Sequence, residues 1–370
     1  MHADLLRSLP APACAYVYDT AAPRERAAMV RQALPQNATL LYAVKANGHP
    51  AVVKALAEVC DGLEVASDGE LALAVEAGAK RIVFGGPGKT DAELAAALKA
   101  GALLNVESVH ELRRLAAIAP TPPQVCLRVN RPGGGLRGSH TMTGTPTPFG
   151  IEEAQLGEAL RVPGVEVIGF HLHAVSNNLD GAAHARFIRD AQQWAVSTAD
   201  KSGIDLRIVN VGGGFGIDYA TSAGKMDLSQ VSAISAEHDL IFELGRYLAA
   251  DAGIYAATVL DLKTTHGRTF AVLRGGTHHF RLPAAWGYSH PFTIVPVDDW
   301  PHPYPRPEVT DTEIDAVGEL CTPRDVLTRG RHVDRLRAGD ILVFARTGAY
   351  GWDISHHDFL RHDPPTFLIT

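Results

Sequence analysis

Residues 40–65 read LLYAVKANGHPAVVKALAEVCDGLEV: an apolar run, a polar break around Lys45 to His49, a helical stretch, and a second apolar run at Gly62–Val65. In Pro50–Val59 the apolar residues recur at three- and four-residue spacing, so the stretch predicts strand, amphipathic helix, strand, the unit from which parallel sheets are built. The same alternation continues on both sides of this segment. Strand cores are predicted at Leu40–Val44, Gly62–Val65, Arg81–Phe84, Leu103–Val106, Gln124–Val129, Val165–His173, Leu206–Val211 and Leu240–Glu243. Helices fall between them, among them Gly69–Ala77, Asp91–Ala100, Val109–Ala119, Glu152–Leu160 and His184–Lys201. Eight strands alternating with helices close a (β/α)8 barrel of the TIM type, and the expected fold class is α/β.

Beyond Asp251 the pattern changes to β-rich runs at Tyr255–Thr264, Thr269–Leu273, Phe292–Pro296, Thr312–Val317 and Ile341–Phe344, separated by Pro and Gly. A run of 370 residues exceeds one ordinary core. The expectation is a barrel over 20–250 and a second β-rich domain, sandwich or barrel-like, from 1–19 and 251–370. Residues 13–18 form a short strand expected to pair with that second domain. Asn130–Pro148, rich in Gly, Pro and Thr, is too long for a turn and is a candidate substrate-side loop.

A formal charge of −7, with no Lys or Arg run, argues against nucleic acid and membrane surfaces as partners and favours a small molecule. No apolar stretch is long enough to span a bilayer, and the N-terminal segment lacks a signal-peptide pattern, so cytoplasmic residence is expected. The four cysteines show no CxxC spacing. Cys14, Cys60 and Cys126 read as small buried hydrophobes, whereas Cys321 lies in the loop-like Gly-Glu-Leu-Cys-Thr-Pro-Arg-Asp.

Barrel enzymes build their sites at the C-terminal ends of the strands. Lys45 is at such an end; taken alone, the position suits a solvated lysine equally well. Gly212, Gly213 and Gly214 follow strand seven, where backbone N–H groups can approach a phosphate, although a plain turn also uses such a triplet. Glu243 ends strand eight. His171 and His173 are two apart and invite a metal, but no carboxylate or third histidine stands at ligand spacing, and none is expected.

Tyr-Ala-Val-Lys-Ala-Asn at 42–47, Glu-Val-Ala-Ser at 64–67, His-Leu-His-Ala-Val-Ser at 171–176, Gly-Gly-Gly-Phe at 212–215, Glu-Leu-Gly-Arg at 243–246, Cys321 and Gly-Ala-Tyr-Gly at 348–351 decide between these readings. In this order the chain resembles, over nearly its full length, the pyridoxal 5′-phosphate (PLP) decarboxylases of the ornithine and diaminopimelate family. The resemblance implies that Lys45 holds the cofactor as a Schiff base, helped by a desolvated barrel mouth that lowers a lysine pKa. It further implies that His173 stacks on the cofactor ring and that Arg128 stands near its phenolic oxygen. Ser176, Gly213, Gly214, Gly245, Arg246 and Tyr350 would hold the phosphate. Glu243 would bond the pyridine nitrogen, an acidic partner that favours decarboxylation over the racemase chemistry of related barrels. Cys321 would return a proton to the substrate carbanion from the neighbouring subunit of a head-to-tail homodimer with shared active sites.

Departures from the family bear on substrate. Diaminopimelate decarboxylases carry a glutamate after the cysteine; here Thr322 and Pro323 follow. Ornithine and lysine enzymes need an acid for a terminal ammonium, and Asp325 is the one candidate in the 321–325 loop. Arg281 resembles the arginine that grips a distal carboxylate. Val175, Leu244 and Pro148 replace the usual Gly, Pro and Lys. The ending at 348–360 is most similar to the decarboxylases of citrate-based siderophore assembly, the staphyloferrin B type, which act on a citryl-2,3-diaminopropionate conjugate. Arg137, His278, His356 and His357 are further candidates for its carboxylates.

Overall fold

The computed structural model describes residues 3–133, 136–220 and 226–370. The chain divides into two units, one formed by Pro23–Asp218 and the stretch reaching Leu248, the other by residues up to Ala22, Tyr219 and Ala249–Thr370.

The first unit contains eight parallel strands: β1 (Ala38–Ala43), β2 (Gly62–Val65), β3 (Ile82–Phe84), β4 (Leu103–Val106), β5 (Gln124–Asn130), β6 (Glu166–His171), β7 (Ile208–Gly212) and β8 (Asp239–Leu244). Each pairs in parallel with its neighbour in sequence, and β8 pairs with β1, so the sheet closes. All eight expected strands are present, and the barrel class follows. Leu41, Val83, Cys126, Ile168, Ile208 and Ile241 fill the interior, nearly or fully buried. The crossover helices start where short polar side chains can satisfy the free N–H groups of the first turn: Ser67, Thr90, Ser108 and Asp180 cap Asp68–Glu76, Asp91–Lys99, Val109–Ile118 and Gly181–Ser202. The strand-one reading runs one residue past β1 and the strand-six reading two residues past β6, each for a local cause. Val44–Ala46 is a 3₁₀ turn, and β6 stops at His171 because the backbone turns before His173.

In the second unit one eight-stranded network runs Phe292–Val295, Ile341–Phe344, Gly253–Thr265, Arg268–Leu273, Glu308–Val317, Val326–Arg337, with Cys14–Tyr18 and Thr366–Ile369 attached to its side. Gly253–Thr265 is long enough to serve three partners, because a register shift between Val259 and Asp261 bends it. Cys14–Tyr18 pairs antiparallel with it from Cys14↔Ala257 to Tyr18↔Gly253. Val326–Arg337 had no counterpart in the sequence reading: the exposed charged or polar side chains of Arg329, Arg331, His332, Asp334 and Arg335 hide the apolar face carried by Leu327, Val333 and Leu336.

Candidate active site

Lys45 sits in the 3₁₀ turn that leaves β1. Tyr42 Oη donates to Asn47 O at 2.9 Å and Asn47 N–H to Val44 O at 3.0 Å, so the turn is braced at both ends. The Lys45 side chain is 45% exposed and its amine is ion-paired with Glu64 of β2. The expected desolvated mouth is thus replaced by a carboxylate, and Glu64, quoted in a motif but given no role above, becomes part of the site.

Glu243 stands on β8, the strand that pairs with β1, in register with Leu41. Its Oε1 accepts from Asn105 Nδ2 of β4 at 3.0 Å and from Asn210 Nδ2 of β7 at 2.6 Å, while Oε2 lies 3.3 Å from His171 Nε2. Burial first, and the charge of Glu64 second, raise the Glu243 carboxyl above the usual carboxylate range. Burial, reinforced by Arg128, holds His171 and His173 well below the ordinary imidazole value, so both rings are neutral. Gly213 N–H donates to His173 Nδ1 at 3.1 Å, which fixes the His173 proton on Nε2.

The glycines are steric necessities. A Cβ on Gly212 would stand 2.4 Å from His173 Nδ1, on Gly213 2.2 Å from Glu243 O, and on Gly214, whose φ is +103°, 2.6 Å from Val175 O. The expectation of unhindered N–H groups needs narrowing, however: Gly212 N–H is bonded to Asn210 Oδ1 at 2.9 Å and Gly213 N–H to His173. A Cβ on Gly245 would meet Ala46 Cβ at 2.8 Å, so the segment leading into buried Arg246 lies directly against the Lys45 turn. Ser176 is pinned by the 136–148 loop, with Ser139 N–H donating to its carbonyl at 2.7 Å and Val175–Ser176 pairing with His140–Thr141.

Arg128, inside β5 rather than at its end, donates to Glu107 Oε1 at 2.9 Å and lies 4.6 Å over the Phe149 ring. Glu107 also accepts from Gly86 N–H and Gly150 N–H, and Lys89 pairs with Glu111 at 2.8 Å, both nearly fully buried. This polar layer under the barrel end has no local sequence signature, since its partners stand 21 to 43 residues apart and meet only once neighbouring strands pair.

Cys321, Arg281 and Tyr350 belong to the second unit. Cys321 is exposed. Asp325, four residues on, is 2% exposed; Oδ1 accepts from Thr277 N–H at 2.6 Å and Oδ2 from Leu320 N–H at 2.8 Å. Both oxygens are taken by backbone, so Asp325 is corrected from a candidate ammonium binder to the residue that pins the Cys321 loop. Tyr350 adopts φ +55°. Arg281 lines a cavity of about 670 Å³ together with Thr322, Arg324, Arg329 and His356. The other carboxylate-binding candidates lie elsewhere. His278 is fully buried with its ring 3.8 Å from that of His279, His357 stacks 3.5 Å from Trp352, and Arg137 is an exposed residue of the first unit whose carbonyl accepts from Asn178. Cys60 and Cys126 are buried as expected, but Cys14 is half-buried and polar in its contacts, 3.3 Å from both Tyr255 Oη and His279 Nδ1, with burial pushing its thiol up to about 12.

Known proteins share the fold and much of the sequence. A point variant of diaminopimelate decarboxylase from Helicobacter pylori, solved with L-lysine, superimposes over 100% of this chain and 94% of its own with a TM-score of 0.87 at 24% identity, a likeness of fold. In sequence, the chain is 38% identical over 99% of its length, and 96% of the relative's, to 2-[(L-alanin-3-ylcarbamoyl)methyl]-2-hydroxybutanedioate decarboxylase of Staphylococcus aureus. It is 31% identical over 96% of its length, and 86% of the relative's, to diaminopimelate decarboxylase of Aquifex aeolicus. Residues 21–250 match the family described as pyridoxal-dependent decarboxylase, pyridoxal binding domain. With that span matched and these relatives covered nearly end to end, the chain belongs to the pyridoxal-dependent decarboxylases, carboxy-lyases that work with PLP.

Proposed function

We propose that this chain removes the α-carboxylate of a citryl-2,3-diaminopropionate conjugate in siderophore assembly, acting in the cytoplasm as a head-to-tail dimer. The observation that carries the chemistry is Glu243, a buried carboxylate held by two amides at the end of β8. The relative at 38% identity, whose name denotes a hydroxybutanedioate joined to an amino acid, supports the substrate, and the Arg281 cavity supports its acidic end.

The residues fit PLP by their own chemistry. Lys45 would hold the aldehyde, Glu243 the ring nitrogen, His173 one ring face and Arg128 the phenolic oxygen. Ser176, Gly213, Gly214, Gly245 and Arg246 would surround the phosphate, with Tyr350 a further donor by resemblance. Close approach is what the glycines allow, since a Cβ at 213 or 214 would already collide with the protein itself. Bound there, the cofactor would supply an electron sink for the pair left as carbon dioxide departs.

What the chain does around that sink follows from the geometry. Burial beside Glu64 makes a lone Glu243 anion unfavourable, so a cationic ring nitrogen next to it is stabilised. The Glu64 carboxylate is the base within reach of Lys45 Nζ and takes its proton when the amine is needed neutral. Neutral His173, its proton fixed on Nε2, offers a flat uncharged surface. Cys321 Sγ of a second copy gives a proton to the carbon that lost the carboxylate, from a loop held rigid by Asp325.

Two measurements test this. Borohydride reduction of the holoenzyme followed by digestion should leave a pyridoxyl group on the Lys45 peptide. Incubation with citryl-diaminopropionate, meso-diaminopimelate, ornithine and lysine should release carbon dioxide from the first. An unlabelled Lys45 peptide at full cofactor supply refutes the site, and release from diaminopimelate alone refutes the substrate.

A further inference from the structure

The cavity around Arg281 has a charge that the rest of the chain does not share. Arg281, Arg324 and Arg329 all line it and no Asp or Glu among the described residues does, in a chain whose net charge is −7. Neither Arg281 nor Arg324 has an ion-pair partner among the described residues. Arg329 reaches Asp315 only at 3.9 Å, where Arg268 already occupies the same carboxylate oxygen. Three guanidinium groups around one hollow repel each other unless an anion joins them, and a volume of about 670 Å³ suits a small ligand.

The sequence delivers these arginines from separate, firmly held backbone. Arg324 stands on the Cys321 loop, whose turn is closed by Thr322 Oγ1 accepting from Arg324 N–H at 3.3 Å and by the buried Asp325 carboxylate. Arg329 N–H donates to Ser289 Oγ at 3.0 Å, tying it to the segment after Gly287. Arg281 N–H donates to Ser355 Oγ at 3.0 Å, which brings the 355–356 segment and His356 to the same wall. Thr322, next to Cys321, completes the lining and sets the cavity beside the thiol proposed above as proton donor.

We propose that this cavity seats the non-reacting carboxylates of the substrate, with Arg324 and Arg329 as specificity-determining residues that add two guanidinium forks to that of Arg281. The substrate class is then an amino acid joined to a polycarboxylate, held by its acidic end while its amino-acid end reacts. The inference rests on the reading under Proposed function, and it extends that reading from one arginine to three. It accounts for the absence of a glutamate after Cys321: an acid at position 322 would line the same hollow and repel the ligand.

The test uses PLP-loaded full-length protein, with citrate as the anionic probe and 1,4-diaminobutane as the cationic control in calorimetry, and citryl-diaminopropionate in turnover. Arg324→Gln and Arg329→Gln should each weaken citrate binding and raise KM about tenfold, the pair about a hundredfold, with kcat within about twofold and the cofactor absorbance unchanged. Arg324→Lys should fall between, since the charge remains and the fork is lost. A double variant that binds citrate and turns over with the parent KM overturns the proposal. So does a parent enzyme that ignores citrate while the variants change its sedimentation, because the arginines would then be a contact between copies. If the parent enzyme binds citrate through these arginines yet releases no carbon dioxide from the conjugate, the substrate reading fails and the polycarboxylate seat stands.

Discussion

Replacing Asp325 by Ala should loosen the Cys321 loop through a nameable set of contacts. The carboxylate accepts Thr277 N–H at 2.6 Å and Leu320 N–H at 2.8 Å, and it is 2% exposed. Two buried backbone donors left without acceptors are worth roughly 1 to 3 kcal/mol each, so a loss of about 2 to 6 kcal/mol is expected. The socket is tight: a Cβ on Gly318 would stand 2.2 Å from Asp325 Oδ2. Gly318→Ala alone should therefore be destabilising by roughly 1 to 3 kcal/mol from overpacking. In the Asp325→Ala background the clash with the carboxylate is gone while that with Gly276 Cα, 2.5 Å from the same Cβ, remains, so the double variant should be more stable than the sum of the singles by about 0.5 to 1.5 kcal/mol. Urea unfolding of the four proteins measures the cycle. Strict additivity, or an Asp325→Ala protein of parental stability with only KM altered, would refute the assignment and return Asp325 to the list of substrate contacts.

Glu243→Gln keeps the volume and one oxygen for Asn105 and Asn210 but removes the charge; loss of a charge-assisted bond worth about 1.5 to 3 kcal/mol predicts a fall in kcat/KM of roughly 10- to 150-fold, seen by carbon dioxide release, with folding near parental by circular dichroism. Acid should destabilise the fold through its buried histidines. His184 and His290 take a proton near pH 4 when folded instead of near 6.5, because burial disfavours the cation. The unfolded chain binds those protons first, so stability falls as pH drops below 6.5, by roughly 1.4 kcal/mol per unit for each ring down to pH 4. A urea midpoint that is flat from pH 7 to 5 would contradict this. Mixing Lys45→Ala with Cys321→Ala protein should restore activity to about a quarter of the sites by statistical exchange of subunits, and failure in verified heterodimers removes the shared site.

Much of the barrel could be read from local pattern, because each strand and helix announces itself within ten residues: the run before Lys45 and the spacing in Pro50–Val59 need no knowledge of partners. The positions of Lys45 and Glu243 at strand ends followed from the same reading. The amides could not be paired in advance. Asn105 and Asn210 each interrupt an apolar strand, a legible sign of a buried polar contact, but their shared partner Glu243 is 138 and 33 residues away and is chosen by closure of the barrel. Asp325 misled for the opposite reason. An acid in a loop beside Cys321 reads as a ligand group, and only the approach of Gly276 and Gly318 reveals that the backbone has claimed it. Val326–Arg337 escaped because charge on its open face breaks the alternation that marks a strand.

The bond from Gly213 to His173 reaches further than the ring it orients. An imidazole that accepts at Nδ1, and whose cation burial disfavours, carries a single proton, on Nε2. On the reading proposed above, the hydrogen that arrives on the product travels from Cys321 instead, and the stereochemistry of its delivery becomes a record of which side of the flat ring that thiol occupies.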